Sequence, residues 1–442
     1  MSNAAVDNDR ESGATGKGGR RGAFGFPLHA NRAAALGEVH SRPAPAISAP
    51  RGLIKLCFMT EGGTTVDHAV LSELSRRHGS APPDRQARHH SIDTGKGTLR
   101  WERHTEASTY LWEGGLPRRF GEPMVGHPFG EEFPAPGTLI AGVRIEVRKH
   151  SAATMKLISE FDSATVCCAQ VEDGMAIAVT DFRQDASGLT QILVLDLGMS
   201  PQRCGALAQR LFDIEIYRTL AMLGLPMAQQ LSPHMRKAED RLAALTNRMR
   251  NVAADETEQL LDEITGLAAE LEADAASSLY RFGASRAYYQ IVHDRLAALG
   301  EQPVTGYDTW SSFLERRVAP AMRTCRSVEE RQANLSRKLS RAANLLRTRV
   351  EVEVEKQNRN LLQSMNTRAR LQLRLQQTVE GLSVAAVSYY VVGLIGYVVK
   401  GAGLARFGIS DAVVTAAAVP VVVIALWLLV RRIRRRHRDT ET

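Results

Sequence analysis

Apolar and polar positions alternate in three different ways along this chain. Between residues 27 and 200 the period is two. Runs rich in β-branched and aromatic residues predict strands at Leu53–Met59, Thr98–Arg103, Ser108–Trp112, Thr138–Val147, Thr165–Val171, Met175–Asp181 and Gln191–Leu197, each bounded by Gly, Pro, Asp or Ser. Helices are expected at Val66–His78 and Ala152–Phe161, and Pro117–Pro136 reads as a surface loop. This mixed order predicts a mixed sheet with helices packed on it.

From Pro201 the period becomes that of a helix. Gln202–Leu223 is closed by Gly224 and Pro226, Pro233–Ala275 carries Leu242, Leu245, Met249 and Val252 on one face, and Ser277–Leu299 and Tyr307–Val318 follow. Pro320 is expected to open the longest helix. Neither Gly nor Pro occurs from Ala321 to Glu380, and Val350, Val354, Leu361, Met365, Leu375, Val379 and Leu382 step by fours and threes or their sums. That spacing predicts a coiled-coil stalk, interrupted by Arg368 and Gln372.

The third pattern has no polar face. Leu382–Val399 and Ala412–Val430 carry no charge, and the polar stretch 400–411 separates them. At ~1.5 Å per residue each run is roughly 27 Å long, close to the hydrocarbon thickness of a bilayer. The fold class is therefore an α+β membrane protein: a disordered tail (1–26), a mixed α/β domain (27–200), a helical domain (201–320), a coiled-coil stalk helix (321–381), a transmembrane hairpin (382–399 and 412–430) and a basic tail (431–442).

Charge sets the orientation. Arg431, Arg432, Arg434, Arg435, Arg436 and Arg438 follow the second run, Arg368, Arg370 and Arg374 precede the first, and the connecting loop has only Lys400 and Arg406 against Asp411. Basic flanks remain on the cytoplasmic side, so both termini are expected in the cytoplasm of a bacterial inner membrane. Met1–Phe26 has no apolar core and is not expected to be a secretory signal. The net charge of +8 then belongs to a lipid bilayer partner, since juxtamembrane Arg is attracted to anionic lipid by about 1 kcal/mol each. No nucleic-acid motif accompanies it, and nucleic acid is excluded as a partner. Cys57, Cys167, Cys168, Cys204 and Cys325 fit neither a disulfide framework nor a zinc site. They read as reduced, buried thiols, with Cys167 and Cys168 on opposite faces of one strand.

Few residues offer chemistry. In a strand Glu102, His104 and Glu106 share one face, and His40 and Arg42 lie in a second ionisable motif. A carboxylate–imidazole–carboxylate face suits a metal or a general base. The competing reading is an ion-pair network with Arg42 and Arg103. His78, His89 and His90 read as solvated. Gly95-Lys96-Gly97 is too short to cradle a phosphate and leads into a strand rather than a helix. In the first span Ala386, Tyr389, Gly393 and Gly396 form a face of small residues and tyrosine, for an oligomer seam or for packing on the second span. Pro420 is expected to kink that second span.

Several motifs together resemble a bacterial domain-of-unknown-function family described as uncharacterised membrane-anchored proteins. They are Gly37-Glu38-Val39-His40-Ser41-Arg42-Pro43, Arg100-Trp101-Glu102-Arg103-His104-Thr105-Glu106, Tyr280-Arg281-Phe282-Gly283-Ala284-Ser285-Arg286-Ala287-Tyr288-Tyr289, Ala319-Pro320-Ala321-Met322-Arg323-Thr324-Cys325 and Gln376-Gln377-Thr378-Val379-Glu380-Gly381-Leu382-Ser383 with Tyr389-Tyr390. The family is expected to carry Phe where Ala107 stands. The resemblance implies no activity and no cofactor. The architecture also resembles CorA-type cation transporters, but their Gly-Met-Asn motif is replaced by Tyr397-Val398-Val399-Lys400-Gly401-Ala402-Gly403, and Lys400 opposes the approach of a cation. The expectation is an oligomeric scaffold or sensor, joined through its stalk and not obviously an enzyme. A CorA-like channel and a membrane-bound enzyme using the His104 region stand as alternatives.

Overall fold

The computed structural model describes residues 26, 29, 32, 36, 45–60, 63–85, 87–251, 256–401 and 411–438. The chain divides into two compact units: residues 1–244 with 265–340, and residues 245–264 with 341–442.

The first unit is built on a nine-stranded sheet. Its strands are β1 (Arg51–Met59), β2 (His89–Asp93), β3 (Gly97–Arg103), β4 (Ala107–Gly114), β5 (Thr138–Lys149), β6 (Cys167–Val171), β7 (Ala176–Gln184), β8 (Thr190–Asp196) and β9 (Gln302–Pro303). The order is β2-β3-β4-β1-β5-β8-β7-β6-β9. Every pairing is antiparallel except β5 with β8, which runs parallel from Val143↔Thr190 to Lys149↔Asp196. That parallel seam joins an N-terminal antiparallel half to a C-terminal one. All seven expected strands are present. β2 and β9 were not expected, because one is polar and the other only two residues long.

Helices α1 (Thr64–Arg77) and α2 (Ala152–Met155, continued by a 3-10 turn to Glu160) lie with the first half of the chain, and α3 (Pro201–Met222) follows the sheet. Ser200 caps α3 by accepting from the Arg203 N–H at 3.3 Å, and Pro201 occupies its first turn, where no N–H is needed. Both sheet faces are covered, which is why several strands read as continuous apolar runs. On one face Leu53, Cys57, Val143 and Ile145 pack with Leu207, Leu211 and Phe212 of α3. On the other, Ile54, Leu56, Leu99, Trp101, Tyr110 and Trp112 pack with Val70, Leu71 and Leu74 of α1. Cys167 joins the first of these cores and Cys168 a third one with Ile158 and Phe161, so the neighbouring thiols do face opposite ways. The segment 45–47 crosses α3 at Gly205, where any side chain would strike the Pro45 carbonyl, and the Ile47 N–H donates to Pro201 O at 2.9 Å.

The remaining helices are α4 (Gly224–Asn251), α5 (Thr257–Leu299), α6 (Trp310–Gly401) and α7 (Asp411–Arg438). Two sequence boundaries are corrected here. The expected helix Pro233–Ala275 is two, since α4 ends at Asn251 and α5 begins at Thr257 and absorbs the expected third helix. Pro320 does not open a helix; it lies inside α6, ten residues past Trp310. A proline removes one hydrogen bond, and here the neighbours Val318, Ala319 and Ala321 are all buried, so packing outweighs the local cost. Within the first unit, Arg331 pairs with Glu239 at 2.6 Å and Arg286 with Glu329, tying α6 to α4 and α5. Trp310, fully buried, donates its indole N–H to Ala178 O at 3.2 Å and so pins the start of α6 to β7. Glu301 accepts from the Trp310 and Ser311 N–H groups, both at 3.0 Å, and closes the helix end.

In the second unit, Leu245, Leu260, Ile264 and Leu346 are buried, and Arg248 pairs with Glu263 at 2.7 Å. Beyond them α6 is exposed. The stripe Val354, Leu361, Met365, Leu375, Val379 and Leu382 is 50–68% accessible. Within α6 and α7 lie two segments long and apolar enough to cross a membrane. Pro420 sits inside α7 without ending it.

Candidate functional site

Glu102, His104 and Glu106 do not share one face of a strand. β3 stops at Arg103, because His104-Thr105-Glu106 is the turn into β4: the His104 N–H donates to Ala107 O at 2.8 Å. Alternation ends with the strand, and the three side chains go to different partners. Glu102 meets Lys55 of β1 at 3.3 Å. His104 places Nε2 3.2 Å from Thr109 Oγ1 and Nδ1 3.2 Å from the Tyr217 hydroxyl of α3. Glu106 takes both arms of Arg281 on α5, at 3.0 and 2.7 Å, and accepts from the Tyr280 hydroxyl at 3.3 Å. Ion pairs with Lys55 and Arg281 thus engage Glu102 and Glu106. His40 and Arg42 lie outside the described residues.

Rings complete the cluster. Tyr217 stacks on Tyr288 with centroids 5.5 Å apart, and His104 meets the Tyr217 ring edge-on at 6.1 Å. Burial opposes the Glu106 charge, but hydrogen bonds from Arg281, Tyr288 and Tyr280 outweigh it and hold the carboxyl below its usual range. Arg281 is held above its ordinary value by the same bond. Burial and then Glu106 push the Tyr288 and Tyr280 hydroxyls up. Deeper in, Lys55 is 1% exposed and sits 5.7 Å from the Phe212 ring. Near it Asp213 accepts from Arg295 at 2.9 Å and from Gln209 at 2.9 Å; burial drives its pKa up against the pull of Lys55 and Arg295. On the opposite sheet face Asp67, 1% exposed, accepts from Ser108 at 2.8 Å, Tyr110 at 2.9 Å and Trp101 at 3.3 Å through one oxygen.

The cluster is thus a clasp. Each carboxylate is matched by a cation or by several donors, and the hairpin is fastened to α3 and α5. Among the described residues no group of three or more His, Cys, Asp or Glu side chains is placed to hold a metal. The two motifs in contact, Arg100–Glu106 and Tyr280–Tyr289, are separated by more than 170 residues, as the Glu106–Arg281 pair shows.

The chain belongs to a family of proteins of unknown function, DUF3422. The match covers residues 27–437. No curated protein and no solved structure matches the chain, and the expected likeness to CorA-type transporters has no support. Within the DUF3422 region, sequence reasoning singled out Glu102, His104 and Glu106 but missed Lys55, Tyr217 and Arg281 as their neighbours, and Asp67 on the opposite face of the sheet. The signal for Arg281 was present, since it lies in a motif that carried the family resemblance.

In the first apolar segment the face of small residues and tyrosine is divided. Gly396 faces Thr415, whose side chain lies 3.7 Å from where a Cβ would stand. Ala386, Tyr389 and Gly393 are exposed instead. The less accessible side of this segment of α6 is Val384, Ser388, Val391, Val392, Ile395 and Val399; that of α7 includes Thr415, Ala418, Val422, Leu426 and Val430. Ser388, 6% exposed, returns its hydroxyl to Val384 O at 2.7 Å, which satisfies a polar group at a site that favours apolar neighbours. Arg431 stacks 4.9 Å over Trp427 at the close of the second apolar segment. The side chains of Arg434, Arg435, Arg436 and Arg438 lie outside the described residues, and Arg432 is exposed.

Proposed function

We propose that this protein is an oligomeric scaffold or sensor held in the bacterial cytoplasmic membrane by a two-helix hairpin. Its α/β body and both termini lie on the cytoplasmic side, and copies associate in parallel through the stalk of α6. The observation that carries the reading is the exposed apolar stripe from Val354 to Leu382, which runs without a break into an uncharged 18-residue segment. A hairpin in the bilayer presents every copy of the stripe at the same height and in the same direction. Confinement to a plane raises the effective concentration of neighbouring copies, which favours even a seam interrupted by Arg368 and Gln372. The arginines after Val430 support the orientation.

The Glu106–Arg281 clasp supports a non-catalytic role for the hairpin, because a carboxylate locked by a guanidinium and two phenols is a poor base. A reporter active only outside the cytoplasm, fused after Thr442, is expected to be silent, and one at Gly403 active. The opposite pattern refutes the orientation. Chemical crosslinking of the full chain in membranes is expected to give multimers that vanish in the double variant Met365→Asp, Leu375→Asp. Multimers that persist refute association through the stripe.

A further inference from the structure

The stalk of α6 carries its stripe in two columns of a seven-residue repeat. Val354, Leu361, Leu375 and Leu382 stand in one column, and Arg368 holds its middle place. Asn358, Met365, Gln372 and Val379 form the second column, each four residues after a member of the first. The helix is continuous through both. Arg368 and Gln372 are exposed, as the apolar members of the columns are.

Parallel copies in register bring like residues level with one another, so an Arg368 layer faces only other Arg368 side chains. The adjoining layers are Met365 and Gln372, and neither is acidic. The flanks add no carboxylate either: residues 356–379 contain Lys356, Arg359, Arg368, Arg370 and Arg374 and no Asp or Glu. Two of these cations have partners on the preceding turn, Lys356 with Glu353 at 3.8 Å and Arg359 with Glu355 at 2.8 Å. Arg368, Arg370 and Arg374 form no ion pair among the described residues. Like charges brought together and stripped of water repel, and arginine does not deprotonate to escape. A further copy of the chain adds only one more cation to the layer, so the neutralising group has to come from outside the protein. A guanidinium fork binds an oxyanion through two N–H groups, and a carboxamide adds N–H donors.

We propose that the stalk seam binds a soluble phosphate-like oxyanion at the Arg368 layer, held between the guanidinium groups of neighbouring copies and by the Gln372 amides one turn further on. The proposal rests on association through the stalk, given above, and makes that association depend on the anion. A lipid phosphate has the same chemistry but not the reach. Arg368 lies fourteen residues before Leu382, which at ~1.5 Å per residue is roughly 21 Å along the helix. Headgroups extend only ~5–8 Å beyond the hydrocarbon, and the remaining gap exceeds the Debye length of ~8 Å.

The test follows energy transfer between donor- and acceptor-labelled full chains in neutral detergent micelles. Sodium phosphate is compared with sodium chloride at equal ionic strength, so that general screening is the same in both. The apparent dissociation constant of the native multimer is expected to be at least ~10-fold lower in phosphate, a difference of about 1.4 kcal/mol. Arg368→Leu completes the apolar column and is expected to associate tightly in chloride, with no phosphate effect. Arg370→Gln removes a cation that lies outside both columns, and is expected to keep the full effect. Equal association of the native chain in the two salts overturns the proposal, as does a phosphate effect that survives Arg368→Leu or vanishes in Arg370→Gln. Phosphatidylglycerol added to the micelles in chloride is expected not to replace phosphate. Association restored by that lipid, with no further gain from phosphate, overturns the soluble assignment in favour of a headgroup. Arg368→Leu chains that associate while native chains ignore phosphate sink only the anion site. If neither chain associates in either salt, the stalk seam falls with it.

Discussion

Two stretches of α6 have similar sequence texture and opposite surroundings. From Trp310 to Leu339 the apolar positions Trp310, Leu314, Val318, Cys325, Val328, Leu335 and Leu339 are all no more than 5% exposed. From Val354 to Leu382 apolar positions at helical spacing are at least half exposed. The first stretch spends its stripe on the sheet and on α4 and α5 of its own chain. The second has no such layer among the described residues. Helical periodicity therefore reports that a face wants covering, not what covers it. What distinguishes the stretches is the order in the chain: the strands and α4–α5 come before the first stretch, whereas an apolar span comes directly after the second.

The comparison is broken most forcefully at Trp310. Trp310→Ala removes a fully buried indole that bridges α6 and β7, and is expected to cost about 3–5 kcal/mol in chemical denaturation of the full chain. A loss below about 1 kcal/mol would mean that the first stretch is as loosely covered as the second.

Next comes the clasp. Arg281→Ala strands the Glu106 carboxylate, and since both partners keep some solvent contact the expected cost is about 2 kcal/mol, less than the ~3–5 kcal/mol for a fully buried pair. The pH dependence has a definite sign. Glu106 is held below its ordinary pKa, so its stabilisation is fully present above the unfolded value of about 4.3 and is lost as pH falls toward and through the folded one. Asp213 is pushed the other way, so its contribution declines as pH rises from about 3.9. Glu106→Gln is expected to flatten the acid limb of a denaturation midpoint plotted against pH; an unchanged limb would remove Glu106 from the balance.

The stalk gives the smallest stability effect. Met365→Asp with Leu375→Asp is expected to move the melting of the body by less than about 0.5 kcal/mol, as exposed substitutions do, while abolishing multimers. A large destabilisation would place the stripe inside its own chain after all. Thiol labelling sharpens the same contrast. Cys325, in the first stretch, is buried, and burial raises its pKa, whereas Leu361→Cys introduces a thiol at an exposed site. Leu361→Cys is expected to react with a maleimide within minutes in detergent while Cys325 stays unmodified; comparable rates would erase the distinction.

How far the sequence was legible depends on the range of the interaction. Strand β1 was readable because Leu53–Met59 is apolar on both faces, and β4 because Ser108–Trp112 is dense in aromatic residues. The two-residue β9 was not, since Gln302–Pro303 has no period to detect and exists only through its pairing with β6. Pro320 misled because a local rule met a buried neighbourhood. The site was half legible. Glu102, His104 and Glu106 were picked out by composition, but the turn at His104 scattered them, and their partners come from β1, α3 and α5. No spacing rule connects Glu106 to Arg281. The small-residue face of the first apolar segment was legible only as a face: Gly396 meets Thr415 while Ala386 and Gly393 are exposed, since such a stripe permits close approach without stating from which side.

The edge strand β9 has a consequence for how one sheet can meet another. Pro303 stands on the outermost strand opposite Ala169 of β6, so that rim is only two residues long and one of its two positions has no N–H to offer. Two such sheets that meet edge to edge at β9 find no ladder to extend there, so polymerisation by sheet addition is disfavoured on that flank.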